Sequence, residues 1–143
     1  MSSYLDASVL IPVLVPEPST ATVEQFFVSA TEELLISDFA VAEVSSAISR
    51  MLRMRKLGDA DALARLADFD AWRAAVSLPI GLQPADGRLA DAYVRRFELG
   101  LRAPDALHLA LARRLDATLV TLDRRLARAA GELGVAVVVP AGA

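Results

Sequence analysis

Four acidic residues of this chain stand where an ordinary fold would not place a charge. Asp6 closes the run Tyr4-Leu5. Glu43 interrupts Phe39-Ala40-Val41-Ala42 and is followed by Val44. Asp105 leads Ala106-Leu107-His108-Leu109-Ala110-Leu111, and Asp123 closes Thr118-Leu119-Val120-Thr121-Leu122. Scattered surface carboxylates rarely carry apolar flanks this regular. Gathered in one place, the four would make a hard, all-oxygen metal site, and hydrolytic chemistry would follow.

The electrostatics of such a gathering point to a cation. Two carboxylates about 4 Å apart repel by roughly 4 kcal/mol at an effective dielectric near 20. Such groups either take up protons or are neutralised by a divalent ion. Mg²⁺ and Mn²⁺ prefer oxygen ligands and work with substrate phosphates. Each acid also has an ordinary reading. Asp6 and Asp123 could be helix caps, and Asp105 a favourable first-turn charge. Glu43 is harder to explain that way. Its helical neighbours Phe39, Ala40, Ser46 and Ala47 form a small and mostly apolar face, where a buried unpaired glutamate would be costly.

Other groups could assist. Ser8 lies two residues after Asp6 and Thr121 two before Asp123, so their hydroxyls could hold a carboxylate or a water; capping and β-propensity are the ordinary alternatives. His108 is one helical turn beyond Asp105, and such a histidine more often packs in the core or hydrogen-bonds the carboxylate than ligates. Basic residues form two groups. Arg50, Arg53, Arg55 and Lys56 end one helix, where dipole complementarity and solvation account for them. Arg124, Arg125 and Arg128 start a helix, where the dipole gives cations no help, so they are the better candidates for phosphate contacts.

The elements that must position these groups alternate between short β-like runs and longer helical stretches. Strands are expected at Ser2–Leu5, Leu34–Ile36, Leu78–Leu82, Thr118–Leu122 and Val135–Val139. Helices are expected at Ser8–Leu14, at Ser19–Ala30 with Ser19 as cap, and at Asp38–Arg55, capped by Ser37 or Asp38 and followed by Gly58. The others run over Asp59–Val76, Ala85–Leu99 to Gly100, Pro104–Leu115, and Arg124–Leu133 with Asp123 as cap and Gly134 after it. This alternation implies an α/β fold of three layers, a parallel sheet of about five strands with helices on both faces. Asp6 and Asp123 then end parallel strands, the edge at which open α/β sheets bind ligands. If the first and fourth strands are neighbours, both face one crevice.

Composition narrows the chemistry. The chain has 143 residues, enough for one domain over 1–143 with a real core, and is 55% hydrophobic. No apolar run approaches the roughly 20 residues of a membrane span, and Asp6 breaks any leader-like segment, so a cytoplasmic location is expected. The absence of cysteine excludes disulfides, thiolate nucleophiles and zinc–thiolate sites. A single histidine excludes a two-histidine ribonuclease and a His-rich metal site. The net charge of −3 does not advertise nucleic-acid binding.

Rival chemistries fit less well. A haloacid-dehalogenase-like phosphatase wants a second aspartate two residues after Asp6, where Ser8 stands, and a lysine near the site, whereas Lys56 follows a long helix. A receiver domain lacks its adjacent acids and late lysine. A nucleotide cradle would need glycine after the first strand, and residues 6–14 contain none.

The motifs Tyr4-Leu5-Asp6-Ala7-Ser8, Ala42-Glu43-Val44, Pro104-Asp105-Ala106-Leu107 and Thr121-Leu122-Asp123 together resemble those of the PIN-domain ribonucleases. Length and form resemble the VapC toxins of prokaryotic toxin–antitoxin pairs. The resemblance covers essentially the whole chain. It implies a PIN-like fold in which Asp6, Glu43, Asp105 and Asp123 are the catalytic, Mg²⁺- or Mn²⁺-binding set. It also implies RNA phosphodiester hydrolysis by a metal-activated water, a cognate antitoxin, and commonly a homodimer. An inactive PIN-like domain that binds RNA or protein is the alternative from another class.

Overall fold

A computed structural model describes residues 1–141; of the expected domain, 142 and 143 lie outside that span. The elements run β1 (Ser2–Leu5), α1 (Ala7–Leu14), α2 (Thr20–Ser29), β2 (Glu33–Ser37), α3 (Asp38–Arg53), α4 (Asp59–Val76), β3 (Ser77–Ile80), α5 (Pro84–Val94), a short 3₁₀ turn (Phe97–Leu99), α6 (Ala103–Arg114), β4 (Thr118–Val120), α7 (Arg124–Glu132) and β5 (Val137–Val138). All strand pairs are parallel, in the order β3-β2-β1-β4-β5. The first and fourth strands are therefore neighbours, as the crevice requires. The chain order reverses at β1, which places the switch point between the C-terminal ends of β1 and β4.

Side-chain alternation explains the three layers. Tyr4, Leu35 and Leu119 pack with Tyr93 of α5, Leu109 and Leu111 of α6 and Leu126 of α7. Their sequence neighbours Leu5, Leu34, Ile36 and Val120 pack on the other face with Val9 and Leu10 of α1, Val44 and Ile48 of α3 and Phe69 of α4. Leu119 and Val120 are both fully buried, each contributing about 1.5–3 kcal/mol by burial. No helix among the described residues is long and apolar enough to cross a membrane.

Several boundaries differ from the sequence expectation. The helix expected over Ala85–Leu99 ends at Val94. Ala90, Tyr93 and Val94 reach the core, but Arg95 and Arg96 face solvent, and Phe97 is 83% exposed in the turn that follows. Apolar anchoring stops where the helix stops. Gly100 then closes the turn at φ 63°. Ser19 makes no capping bond; Thr20 Oγ1 instead accepts from Glu17 N at 2.8 Å and donates to Pro12 O at 2.8 Å. Gly58 does not end α3. The left-handed position there is taken by Arg55 at φ 58°, while Gly58 is the residue before α4. The third strand starts one residue earlier than expected and lies at the sheet edge, where Pro79 is tolerated.

Candidate active site

The end of β1 and the loop after β4 are tied together through one carboxylate. Asp6 Oδ1 accepts from Ser8 N at 3.0 Å and from Ser8 Oγ at 2.5 Å, and Oδ2 accepts from Thr121 Oγ1 at 2.5 Å. Ser8 Oγ in turn accepts from Leu122 N at 2.8 Å, and Thr121 Oγ1 from Asp123 N at 3.0 Å. Asp6 thus caps α1 while holding the chain on which Asp123 sits. Asp123 caps α7, its Oδ1 accepting from Arg125 N at 2.9 Å and Leu126 N at 3.2 Å. The capping readings of Asp6 and Asp123 and the clustering of Ser8 with Thr121 are realised in the same contacts.

Asp6 is only 4% exposed, and no arginine, lysine or histidine among the described residues forms an ion pair with it. Burial pushes its carboxyl above the ordinary carboxylate range. The hydrogen bonds from Ser8 and Thr121, and the nearby His108, oppose that rise without cancelling it. A buried carboxylate without a cationic partner costs several kcal/mol. Charge-assisted hydrogen bonds offset about 1.5–3 kcal/mol each.

A second network aims Glu43. His108 Nε2 lies in hydrogen-bond contact with Glu43 Oε1, and His108 Nδ1 is 2.7 Å from the Tyr4 hydroxyl. Tyr4 Oη is 2.8 Å from Ser37 Oγ, which accepts from Ala40 N at 3.0 Å as the cap of α3. One assignment gives every hydrogen an acceptor. Ser37 donates to Tyr4, Tyr4 donates to Nδ1, and Nε2–H donates to Glu43. Burial, and to a lesser degree the Asp6, Glu43 and Asp86 carboxylates, push the Tyr4 phenol far above its ordinary value, against the pull of the Ser37 hydrogen bond.

Two sequence expectations change here. Glu43 is neither deeply buried nor unpaired: its side chain is 30% exposed and meets His108. His108 does pack in the core and hydrogen-bond a carboxylate, but that carboxylate is Glu43, 65 positions away, rather than Asp105 one turn back. From the sequence, Ser37 is expected only as a helix cap, which it is, and Tyr4 has no expected polar role. A tyrosine inside an apolar strand is the available signal, because a buried phenol needs a partner. Six polar residues are buried among the described ones; Asp6, Thr121, Ser37 and His108 all belong to these two networks.

Asp105 stands in the first turn of α6, as expected. It accepts from Arg102 N at 3.3 Å, with Arg102 Nε 3.7 Å away, and its side chain is 20% exposed. Arg124, Arg125 and Arg128 are exposed on α7. Arg125 donates to Gly100 O at 3.3 Å, and Arg125 and Arg128 share a small cavity with Glu98 and Glu132.

In kind, the donors suit a hard cation: four carboxylates, and a buried one lacking any positive partner. In placement, the four acids are held by separate contacts. Among the described residues no three His, Cys, Asp or Glu side chains lie close enough to hold a metal ion together.

Residues 3–132 match the family model of the PIN domain. The chain is 33% identical over 140 residues to ribonuclease VapC46 of Mycobacterium tuberculosis, covering 96% of each. In structure it is similar to VapC20 of the same organism, a sarcin–ricin-loop-cleaving toxin, with TM-score 0.72 and 18% identity over 89% of this chain and 94% of that one. It is similar also to a chain of a toxin–antitoxin complex from Klebsiella pneumoniae, with TM-score 0.68 and 19% identity over 99% of both.

Proposed function

The chain belongs to the PIN-domain family, and we propose that it is a divalent-metal-dependent endoribonuclease, the toxin of a toxin–antitoxin pair. The observation that carries the reading is Asp6: a buried carboxylate without a cationic partner, at the switch point of a parallel sheet, beside a second network that ends on Glu43. The ribonuclease relative, matched over nearly its full length, supports the substrate class.

In this reading Asp6, Glu43, Asp105 and Asp123 hold Mg²⁺ or Mn²⁺. When bound, the ion supplies an activated water and stabilises charge on the phosphodiester oxygens. Holding it involves rotation of Glu43 and Asp105 away from His108 and Arg102, their present partners. Ser8 and Thr121 fix the Asp6 carboxylate, and Thr121 also fixes the backbone of Asp123. Tyr4 and His108 hold Glu43 in its present, metal-free orientation. Arg124, Arg125 and Arg128 contact RNA phosphates. A cognate antitoxin is the partner, as in the complex from Klebsiella pneumoniae. A homodimer, implied by the family resemblance, and a cytoplasmic location, expected from the sequence, complete the proposal.

The test is cleavage of a panel of structured RNAs with Mg²⁺ or Mn²⁺ and with excess EDTA. Cleavage that EDTA abolishes is expected. Cleavage that survives EDTA sinks the metal mechanism, and no cleavage of any RNA in the presence of metal favours the inactive, binding-only domain.

A further inference from the structure

The candidate site has an electrostatic difficulty. Its four carboxylates repel a polyanionic strand, and the chain as a whole is acidic, with net charge −3. A substrate rich in phosphate therefore needs a local run of cations leading away from the acids.

An open groove of about 520 Å³ begins at Glu43 and follows α3 to its C-terminal end. Its wall carries Arg50, Arg53 and Lys56, with Met51 between them. All three cations are exposed. Neither they nor Arg55 form an ion pair among the described residues; Arg53 makes only a hydrogen bond to Ser49 Oγ at 2.8 Å. Dipole complementarity accounts for cations inside the last turn of α3, but Arg55 and Lys56 lie beyond it. On α7, by contrast, Arg125 and Arg128 share their cavity with Glu98 and Glu132, which cancel part of their field.

We propose that this groove carries the sugar–phosphate backbone of a single RNA strand leaving the site, with Arg50, Arg53 and Lys56 as its phosphate contacts. The inference rests on the RNA-cutting reading above. From Glu43 to Arg53 the helix rises about 15 Å, over which a stacked strand presents roughly four phosphates. Arginine suits bidentate phosphate contact, and the flexible Met51 offers an apolar surface to sugar or base. An acidic protein segment would also be attracted by these charges. RNA is favoured because the groove starts at a candidate site residue, which a substrate strand must pass and a protein partner need not.

The test compares the wild type with the triple variant Arg50→Gln/Arg53→Gln/Lys56→Gln. Binding of a fluorescent single-stranded RNA of mixed sequence is followed in EDTA, from about 50 to 200 mM salt. The substituted residues are exposed, and unchanged circular dichroism and Tm confirm the fold. Loss of three phosphate contacts lowers the slope of log K against log salt by about 2 and weakens binding by at least about tenfold at the lower salt. The companion variant Arg124→Gln/Arg125→Gln/Arg128→Gln gives a smaller change. An equal slope in wild type and α3 variant overturns the groove assignment while cleavage by the wild type leaves the enzymatic reading standing. So does a variant that loses only antitoxin binding. A wild type that neither binds nor cleaves RNA overturns both.

Discussion

Replacing Thr121 with valine removes one hydroxyl from a fully buried position and keeps the branched shape of the side chain. Two interactions go with it. The Asp6 carboxylate loses a donor at 2.5 Å, and Asp123 N loses its acceptor at 3.0 Å. A hydrogen bond to a charged group contributes about 1.5–3 kcal/mol, and a half-buried N–H left partly to water costs up to about 1 kcal/mol. The expected destabilisation is therefore about 3 kcal/mol, roughly 6–12 °C in Tm for a chain of this size. The sign of its pH dependence follows from Asp6. Burial raises that carboxyl above its unfolded value. Its protonated form is favoured in the fold, so its contribution is favourable in acid and falls as pH rises from the unfolded pKa through the raised one. The Thr121 hydrogen bond softens that fall, and the valine variant makes it steeper. Urea unfolding in EDTA should thus show the larger loss at neutral pH and a smaller one in acid. In an Asp6→Asn background the cost should shrink to about 1–2 kcal/mol, a neutral hydrogen bond and the Asp123 N–H. A loss below about 1 kcal/mol at neutral pH, or an identical loss in acid and in the Asn background, would refute the buried-carboxylate account.

Asp6→Asn should itself stabilise the metal-free protein at neutral pH, lose that advantage in acid, and abolish cleavage; an Asn variant that unfolds more easily at neutral pH contradicts the uncompensated charge. Tyr4→Phe leaves His108 Nδ1 and Ser37 Oγ short of a partner and should cost about 1–3 kcal/mol in urea unfolding; a neutral outcome breaks the Ser37–Tyr4–His108–Glu43 chain. Asp86→Ala removes a carboxylate that is 2% exposed and bonded by Arg114 at 2.7 and 3.0 Å, for an expected loss of about 3 kcal/mol. Burial alone would raise the Asp86 carboxyl, but Arg114 and Gln83 N hold it below its ordinary value. Its stabilisation should therefore be present above the unfolded pKa and fade as pH falls through the folded one, and a wild-type-to-variant gap that stays constant into acid argues against the pair.

What the sequence made legible follows from where the information lies. Asp123 and its helix are local: a strand run, an acid, a helical pattern, then Gly134 at φ 73°. The α/β alternation is likewise local, and it implied the layers and the sheet edge where Asp6 sits. The partner of Glu43 was not local. His108 lies 65 positions away, and nothing in the spacing of either residue points to the other. Apolar flanks marked Glu43 as costly to bury without a partner, but helix neighbours report which side faces the core and not how far a long side chain reaches out of it. The end of α5 escaped for a similar reason. Arg95 and Arg96 are good helix formers by propensity, and only the loss of core contact beyond Val94 ends the helix. The α3 groove needed coordinates, since its charges read as ordinary helix-end cations until the groove was seen to begin at Glu43.

The central claim is that Asp6, Glu43, Asp105 and Asp123 act together on one divalent cation although each now rests on a separate partner. Calorimetric titration of the EDTA-stripped protein with Mn²⁺ tests it most directly, on the wild type and on Asp6→Asn, Glu43→Gln, Asp105→Asn and Asp123→Asn. Saturable binding by the wild type, weakened in every one of the four variants, is the result expected. Binding that all four variants retain at wild-type strength would contradict the account.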